Sequence, residues 1–347
     1  MKTNFFITGM GRSGTTLLEK LLCNHHELSV LSQPMPLLFV DIKKRFLNSI
    51  GIDKYYVLND SINNENYNIE EFNTFIRDFE YNREEVEAIF EKMTAFSGQL
   101  TKVGVPALKL ENSKFLDLFL QVNKMYTHND KAKCFGSKEI LCEEFSPYFM
   151  ENNIKIIIIV RDPRDVLASA NYPNSIKFLG QKKPSLFVLR SWKKSIDYIK
   201  AYKHNDNLLF LRYEDLVLKT NKTLLAITKF LEVESFAQNT FNEGVLDQIG
   251  MIWKANSSNN VDSVNISSQS IGKYKDKLSE SEISYAEAIC FEEMEYFNYE
   301  KNISQEDRIK IIKNFKDVEV HDQTDLPADY SSSLENINME ISRLEPN

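Results

Sequence analysis

The run Phe5-Phe6-Ile7-Thr8 breaks into Gly9-Met10-Gly11-Arg12-Ser13-Gly14 and resumes as Thr15-Thr16-Leu17-Leu18. No other stretch constrains the fold as strongly. An apolar strand feeds a glycine-rich turn, which opens a helix carrying Leu17, Leu18, Leu21 and Leu22 at helical spacing. Such a turn aims unpaired backbone N–H groups and the positive end of the helix at one point, a ready cradle for an anion. Glycines allow close approach, and the hydroxyls of Ser13, Thr15 and Thr16 add donors. The plain alternative is a tight turn whose hydroxyls merely cap the helix.

The remainder of the chain alternates short β-rich runs with helical stretches, which predicts a parallel sheet with crossover helices. Strands are expected at Asn4–Thr8, Leu28–Leu31, Lys133–Phe135, Lys155–Val160 and Asn207–Leu211, and a helix from about Asn221 to Leu231. Lys155–Val160 is almost wholly β-branched, the mark of a strand buried on both faces. From about 40 to 130 the pattern turns helical and rich in aromatics, including Phe39, Tyr55, Tyr56, Phe72 and Phe75. That insert fits either the wall of a ligand pocket or a plain helical subdomain. The main domain is expected over residues 1–301. Residues 302–347 form an acidic extension, expected to be disordered or an arm for a partner.

Net charge is −8, which argues against a general nucleic-acid binder. Asp317–Asn347 alone holds eight acids and one base, so the rest is near neutral and free to hold a local anion site. The four cysteines show no paired spacing, as in a reduced intracellular protein. With no signal-type segment and no apolar run of membrane length, the expectation is a cytoplasmic protein without membrane partners.

Three phosphate-binding patterns compete for the glycine-rich turn. Gly9-x-Gly11-x-x-Gly14 satisfies the dinucleotide fingerprint, yet no acid follows near Leu31-Ser32-Gln33 to hold a ribose. The nucleoside-triphosphate pattern fits at Gly9, Gly14 and Thr16, but Thr15 replaces its lysine and the cation moves to Arg12. Gly11-Arg12-Ser13-Gly14-Thr15-Thr16-Leu17-Leu18 resembles the 5′-phosphosulfate loop of sulfotransferases that use 3′-phosphoadenosine-5′-phosphosulfate (PAPS).

A second segment strengthens the likeness. Arg161-Asp162-Pro163-Arg164-Asp165-Val166-Leu167-Ala168-Ser169 follows the apolar strand and resembles that family's 3′-phosphate motif, with Arg161 and Ser169 at its interval. Standing alone, Arg161 would read as an ion-pair partner of Asp165. Leu211-Arg212-Tyr213-Glu214-Asp215-Leu216 is similar to a segment whose tyrosine lies near the adenine. Ser191-Trp192 resembles a helix lining the nucleotide. Ser267–Tyr274 looks like the late loop over the 3′-phosphate, in which Gly272 and Lys273 would bind the cofactor.

The resemblance covers most of residues 4–300 and lies closer to the Golgi and bacterial branch than to the cytosolic one. It implies a three-layer, P-loop-like α/β fold with a central parallel sheet flanked by helices. It also implies in-line sulfuryl transfer from PAPS, leaving 3′,5′-bisphosphoadenosine (PAP), without a metal. Arg12 would stabilise the departing phosphate, and Lys138 would hold the sulfuryl oxygens. The acceptor's base, usually His or Glu in this family, lacks its usual glutamate here, where Ser32-Gln33-Pro34 stands. Glu139, His26 and Glu111 are the candidates, in that order, although His25-His26 also reads as a helix end. The expected acceptor is a hydroxyl or amine of a small molecule. A carbohydrate or peptide tyrosine, a nucleotide kinase-like protein and a silent PAPS-binding protein are the alternatives.

Overall fold

Residues 3–52, 63–64, 67–93, 101–103, 113–173, 182–242, 244–247, 250–253, 266–317 and 334–344 are described in a computed structural model of the chain. Five strands, β1 (Thr3–Thr8), β2 (Leu28–Ser32), β3 (Cys134–Lys138), β4 (Lys155–Val160) and β5 (Leu208–Arg212), form one sheet in the order β2-β3-β1-β4-β5. Every pairing is parallel. Thr8 of β1 faces Ile158 of β4, so β4 runs two residues further and delivers Arg161 beside the loop after β1.

Alternation along the buried strands separates two cores. Phe5, Ile7, Ile157 and Ile159 face α1 (Thr15–Cys23), which packs with Leu18, Leu21 and Leu22. Phe6, Ile156, Ile158 and Val160 face the opposite layer. There lie α2 (Pro36–Ser49), α3 (Ile69–Asp78), α4 (Arg83–Met93), α5 (Phe115–Met125), α6 (Ser146–Glu151), α7 (Pro163–Asn171) and α8 (Ser185–Tyr202). β4 is covered on both faces, which explains its unbroken β-branched sequence.

β3 is longer than the expected strand, reaching Lys138, because β1 and β2 both pair with it. Gly136 is a poor strand former, but a Cβ there would lie 2.6 Å from the Phe5 ring, so the glycine makes room for that side chain. The described helices of the insert pack into the core of the main sheet. Phe39 stacks on Phe6 at 5.4 Å, and Phe72, Phe115 and Phe119 join Phe145 and Phe149 in one aromatic core. Phe39 and Phe72 are therefore packing residues, and Phe75 lies against the same core. Tyr55 and Tyr56 lie outside the described residues.

The described parts of the acidic extension pack on their own chain. Asp317 accepts hydrogen bonds from the Ser185 N–H (2.6 Å) and hydroxyl (2.7 Å) at the start of α8. A last helix, α9 (Leu334–Ser342), brings Glu340 to buried Arg190 at 2.7 Å. The docking depends on isolated charge pairs, which leave no periodic signal in sequence. No helix among the described residues is long and apolar enough to cross a membrane.

Candidate active site

All five strands of this sheet are parallel, so their C-terminal ends share one edge, the edge at which open α/β sheets bind ligands. The loop from β1 to α1 lies on this edge. The Ser13 N–H closes it on the Met10 carbonyl at 3.1 Å, while Arg12 takes a left-handed φ of 74°. Such a conformation in a non-glycine residue is strained by about 1–2 kcal/mol and concentrates at functional sites. Gly14 starts α1 at φ 98°, and a Cβ there would fall 2.4 Å from the Tyr213 ring. No side chain caps α1, so its first N–H groups face the loop.

Arg12 Nε donates to Ser169 Oγ at 3.0 Å, and Arg161 Nη1 donates to the Arg12 carbonyl at 3.2 Å. α7 thus brings Ser169 against the loop, where it meets Arg12. The Arg161 guanidinium lies 4.7 Å from the Tyr213 ring centroid and also donates to the Ser270 carbonyl. Trp192 Nε1 donates to the Arg161 carbonyl at 2.8 Å. Loop residues 11–16, Arg161, Ser169, Tyr213 and the late loop therefore converge. Burial, and then the charge of Arg161, lower the Arg12 pKa.

Asp165 does more than the ion pair read from sequence. It lies 3.6 Å from Arg161, but its carboxylate also accepts the N–H groups of Gly272 (2.8 Å) and Tyr274 (2.9 Å), clamping the late loop onto α7. The Gly272 N–H is thus engaged by protein, with Lys273 in the same turn. Arg164 is an internal brace: it forks onto Asp162 at 3.0 and 2.7 Å and reaches Glu287 at 2.6 Å. Glu214 accepts the Asp162 N–H at 3.0 Å, tying the end of β5 to that of β4.

Lys138 and Glu139 follow from β3 on the same edge. Lys138 Nζ donates to Gln33 Oε1 at 3.2 Å, and burial lowers its pKa despite Glu19 and Glu139 nearby. Glu139 is fully buried. Its Oε1 accepts the Met35 N–H at 2.8 Å at the start of α2, while Oε2 has no hydrogen-bond partner among the described residues. Burial pushes its pKa up to about 8, against the pull of that N–H and of Lys138.

His26 does not join them. It follows α1 and precedes β2, at the opposite edge of the sheet, where it stacks on His25 and lies 3.3 Å from Glu234. The same helix that starts at the phosphate loop carries this histidine away from it. Glu111 lies outside the described residues.

Sequence reasoning missed a buried ion quartet beneath the β3 edge. Lys43 pairs with Glu144, Lys194 Nζ lies 2.8 Å from Glu144 and 3.5 Å from Glu143, and Ser195 donates to Glu143. Both ammonium groups donate to the Leu141 carbonyl (3.0 and 3.2 Å), and the Leu141 N–H donates to the Gly9 carbonyl at 3.1 Å. The quartet thereby ties the segment after Glu139 to the phosphate loop. Only the adjacent Glu143-Glu144 pair hinted at it, since the lysines come from remote helices.

A model of the sulfotransferase domain family matches residues 2–298 of this chain. The chain belongs to the sulfotransferase family. By family it is a PAPS-dependent sulfotransferase enzyme. Among solved structures, the sulfotransferase resembles the sulfotransferase domain of the curacin biosynthetic pathway at 18% identity, covering 86% of this chain and 99% of that one, with a TM-score of 0.49. The corresponding domain of the Synechococcus olefin synthase shows 20% identity over 87% and 97%, TM-score 0.46. A mouse sulfotransferase complexed with PAP shows 12% identity over 89% and 88%, TM-score 0.40. No curated protein matches the chain.

The residues present suit a doubly anionic nucleotide. Ser13 Oγ is buried without a hydrogen-bond partner, α1 starts uncapped, and Arg12 has no carboxylate partner among the described residues. A buried donor and an unpaired guanidinium beside helix N–H groups are unfavourable unless an anion satisfies them.

Proposed function

We propose that this sulfotransferase moves a sulfuryl group from PAPS onto a hydroxyl or amine of a small-molecule acceptor. One observation supports the assignment of the donor site: Arg161 at the end of β4 donates to the carbonyl of Arg12, 149 residues away in the loop after β1, beside the uncapped start of α1, while the Arg12 guanidinium donates to Ser169. PAPS, when bound, supplies the sulfuryl group and a bisphosphate leaving group. Residues 11–16 would hold the 5′ end, with Ser13 Oγ and the α1 N–H groups as donors. Arg161 and Ser169 would hold the 3′-phosphate, with the late loop, Gly272 and Lys273 included, closing beside it.

Arg12, always charged, stabilises negative charge on the departing side and cannot act as an acid. Glu139 is the proposed base: Oε1 is pinned by the Met35 N–H, Oε2 has no hydrogen-bond partner among the described residues, and its raised pKa makes the ionised form, present above about pH 8, a stronger proton acceptor than an ordinary carboxylate. Lys138 orients beside it through Gln33. A carboxylate base serves hydroxyls and amines alike, so the acceptor is to be found by screening both.

Calorimetric titration with PAP tests the donor site. Wild type is expected to bind, Arg161→Ala to bind about 10- to 100-fold more weakly through loss of a charged hydrogen-bonding group, and Arg12→Ala to lose transfer chiefly in kcat. Undiminished binding and turnover in both variants would refute the assignment.

A further inference from the structure

The sheet ends at β5, which pairs with β4 on one side only. Against this edge, between the helix Thr220–Leu231 and the stretch 296–298, lies a cavity of about 510 Å³, a size that suits a small ligand. The end of β5 stands between this cavity and the donor site. Tyr213 turns toward Gly14 and Arg161, whereas Arg212, one residue earlier, lines the cavity.

The walls are aromatic. Phe210 and Tyr296 are 37% and 38% exposed, and each sets its ring edge-on against Phe297, with centroids 6.1 and 5.1 Å apart. Such edge-on pairs leave ring surface available to a further ring. The polar lining is mostly cationic: Arg212, Lys219 and Lys222 against the single acid Asp215, which Lys219 already holds at 2.9 Å. Behind Arg212, Glu214 lies 3.6 Å away, but its carboxylate also accepts the Asp162 N–H and the Tyr299 hydroxyl, each at 3.0 Å. Arg212 Nε makes no hydrogen bond among the described residues, and the guanidinium lies 4.4 Å from the Tyr299 ring centroid. Lys222 is exposed, with no ion-pair partner among the described residues. The cavity is thus locally positive on a chain whose net charge is −8.

We propose that this cavity binds a planar aromatic anion, with its rings against Phe210 and Tyr296 and its acidic group at Arg212 and Lys222. A bare inorganic anion would leave the aromatic walls wet, and a cation would meet like charge. The site is distinct from the donor site and does not depend on the PAPS reading.

Fluorescence titration of the full-length protein with anilinonaphthalene sulfonate, with and without excess PAP, tests this. Wild type should show a saturable site that PAP leaves intact. Lys222→Glu replaces attraction by repulsion at the rim and should weaken that site about 5- to 30-fold. Ala226→Trp fills the cavity from an exposed helix position and should abolish it. The uncharged parent, phenylnaphthylamine, should bind at least about 10-fold more weakly than the sulfonate, for want of a charged group at Arg212. Neither variant should change PAP affinity. Displacement of the sulfonate by PAP, equal binding of the uncharged parent, or unaltered binding in both variants would overturn the proposal. If Ala226→Trp lowers Tm, Lys222→Glu decides alone.

Discussion

Removing Lys194 from the buried quartet should expose how the β3 edge is held. Lys194 and both glutamates are fully buried, and burial of the ammonium is more than offset by Glu144 and Glu143, so its pKa is raised. In Lys194→Met, Glu144 keeps Lys43, while Glu143 keeps only the Ser195 hydroxyl. Breaking a buried pair from one side costs about 3–5 kcal/mol, because a charge is left uncompensated. With a denaturant slope of about 3 kcal/mol/M, the urea midpoint at pH 8 should fall by roughly 1 M or slightly more. The stranded carboxyl acquires a folded pKa above its unfolded value, so folding favours its protonated form. The stability deficit should therefore shrink as pH is lowered from 8 to 5 and return as pH rises. The matched variant Lys194→Met/Glu143→Gln removes the stranded charge and should recover most of the loss at pH 8. A deficit below about 1 kcal/mol, one independent of pH, or a double variant no better than the single would refute this account of the quartet.

Two further predictions concern the site directly. Gly14→Ala forces a left-handed φ on alanine and a 2.4 Å approach to Tyr213, so strain and overpacking together should cost about 2–5 kcal/mol, read as a lower urea midpoint and weaker PAP binding. Glu139, held neutral below about pH 8 by burial, accepts a proton only when ionised. Turnover should therefore climb with pH through about 8 and then level off, while Glu139→Gln should lower kcat by about 10²–10⁴-fold; a flat profile, or a fully active Glu139→Gln, excludes this base.

Much of the proposed donor site was legible locally. The turn from Gly9 to Gly14 needs glycine, hydroxyls and a following helix in one contiguous run, and its geometry follows from backbone sterics within those residues. Arg161 was legible because a buried strand ends directly before it, and Ser169 because one helix turns it back. The acceptor side was less legible. Sequence places Glu139 ahead of His26 as a base without excluding either; the parallel sheet puts one at each end. Phe39 and Phe72 suggest an apolar acceptor until Phe39 is seen between Phe6 and Phe149, and Phe72 against Phe46 and Phe145.

From sequence alone came the strand, loop and helix that begin the chain, the buried character of β4 and the family likeness, since each is written in neighbouring residues. The tertiary structure alone decided which charged groups meet which partners: Lys43 and Lys194 around Glu144, Asp165 on the late loop, Asp317 on α8, and Arg190 on Glu340. Charge pairing across a hundred residues has no period to reveal it, and its energy depends on a desolvation that exists only once the layers have packed.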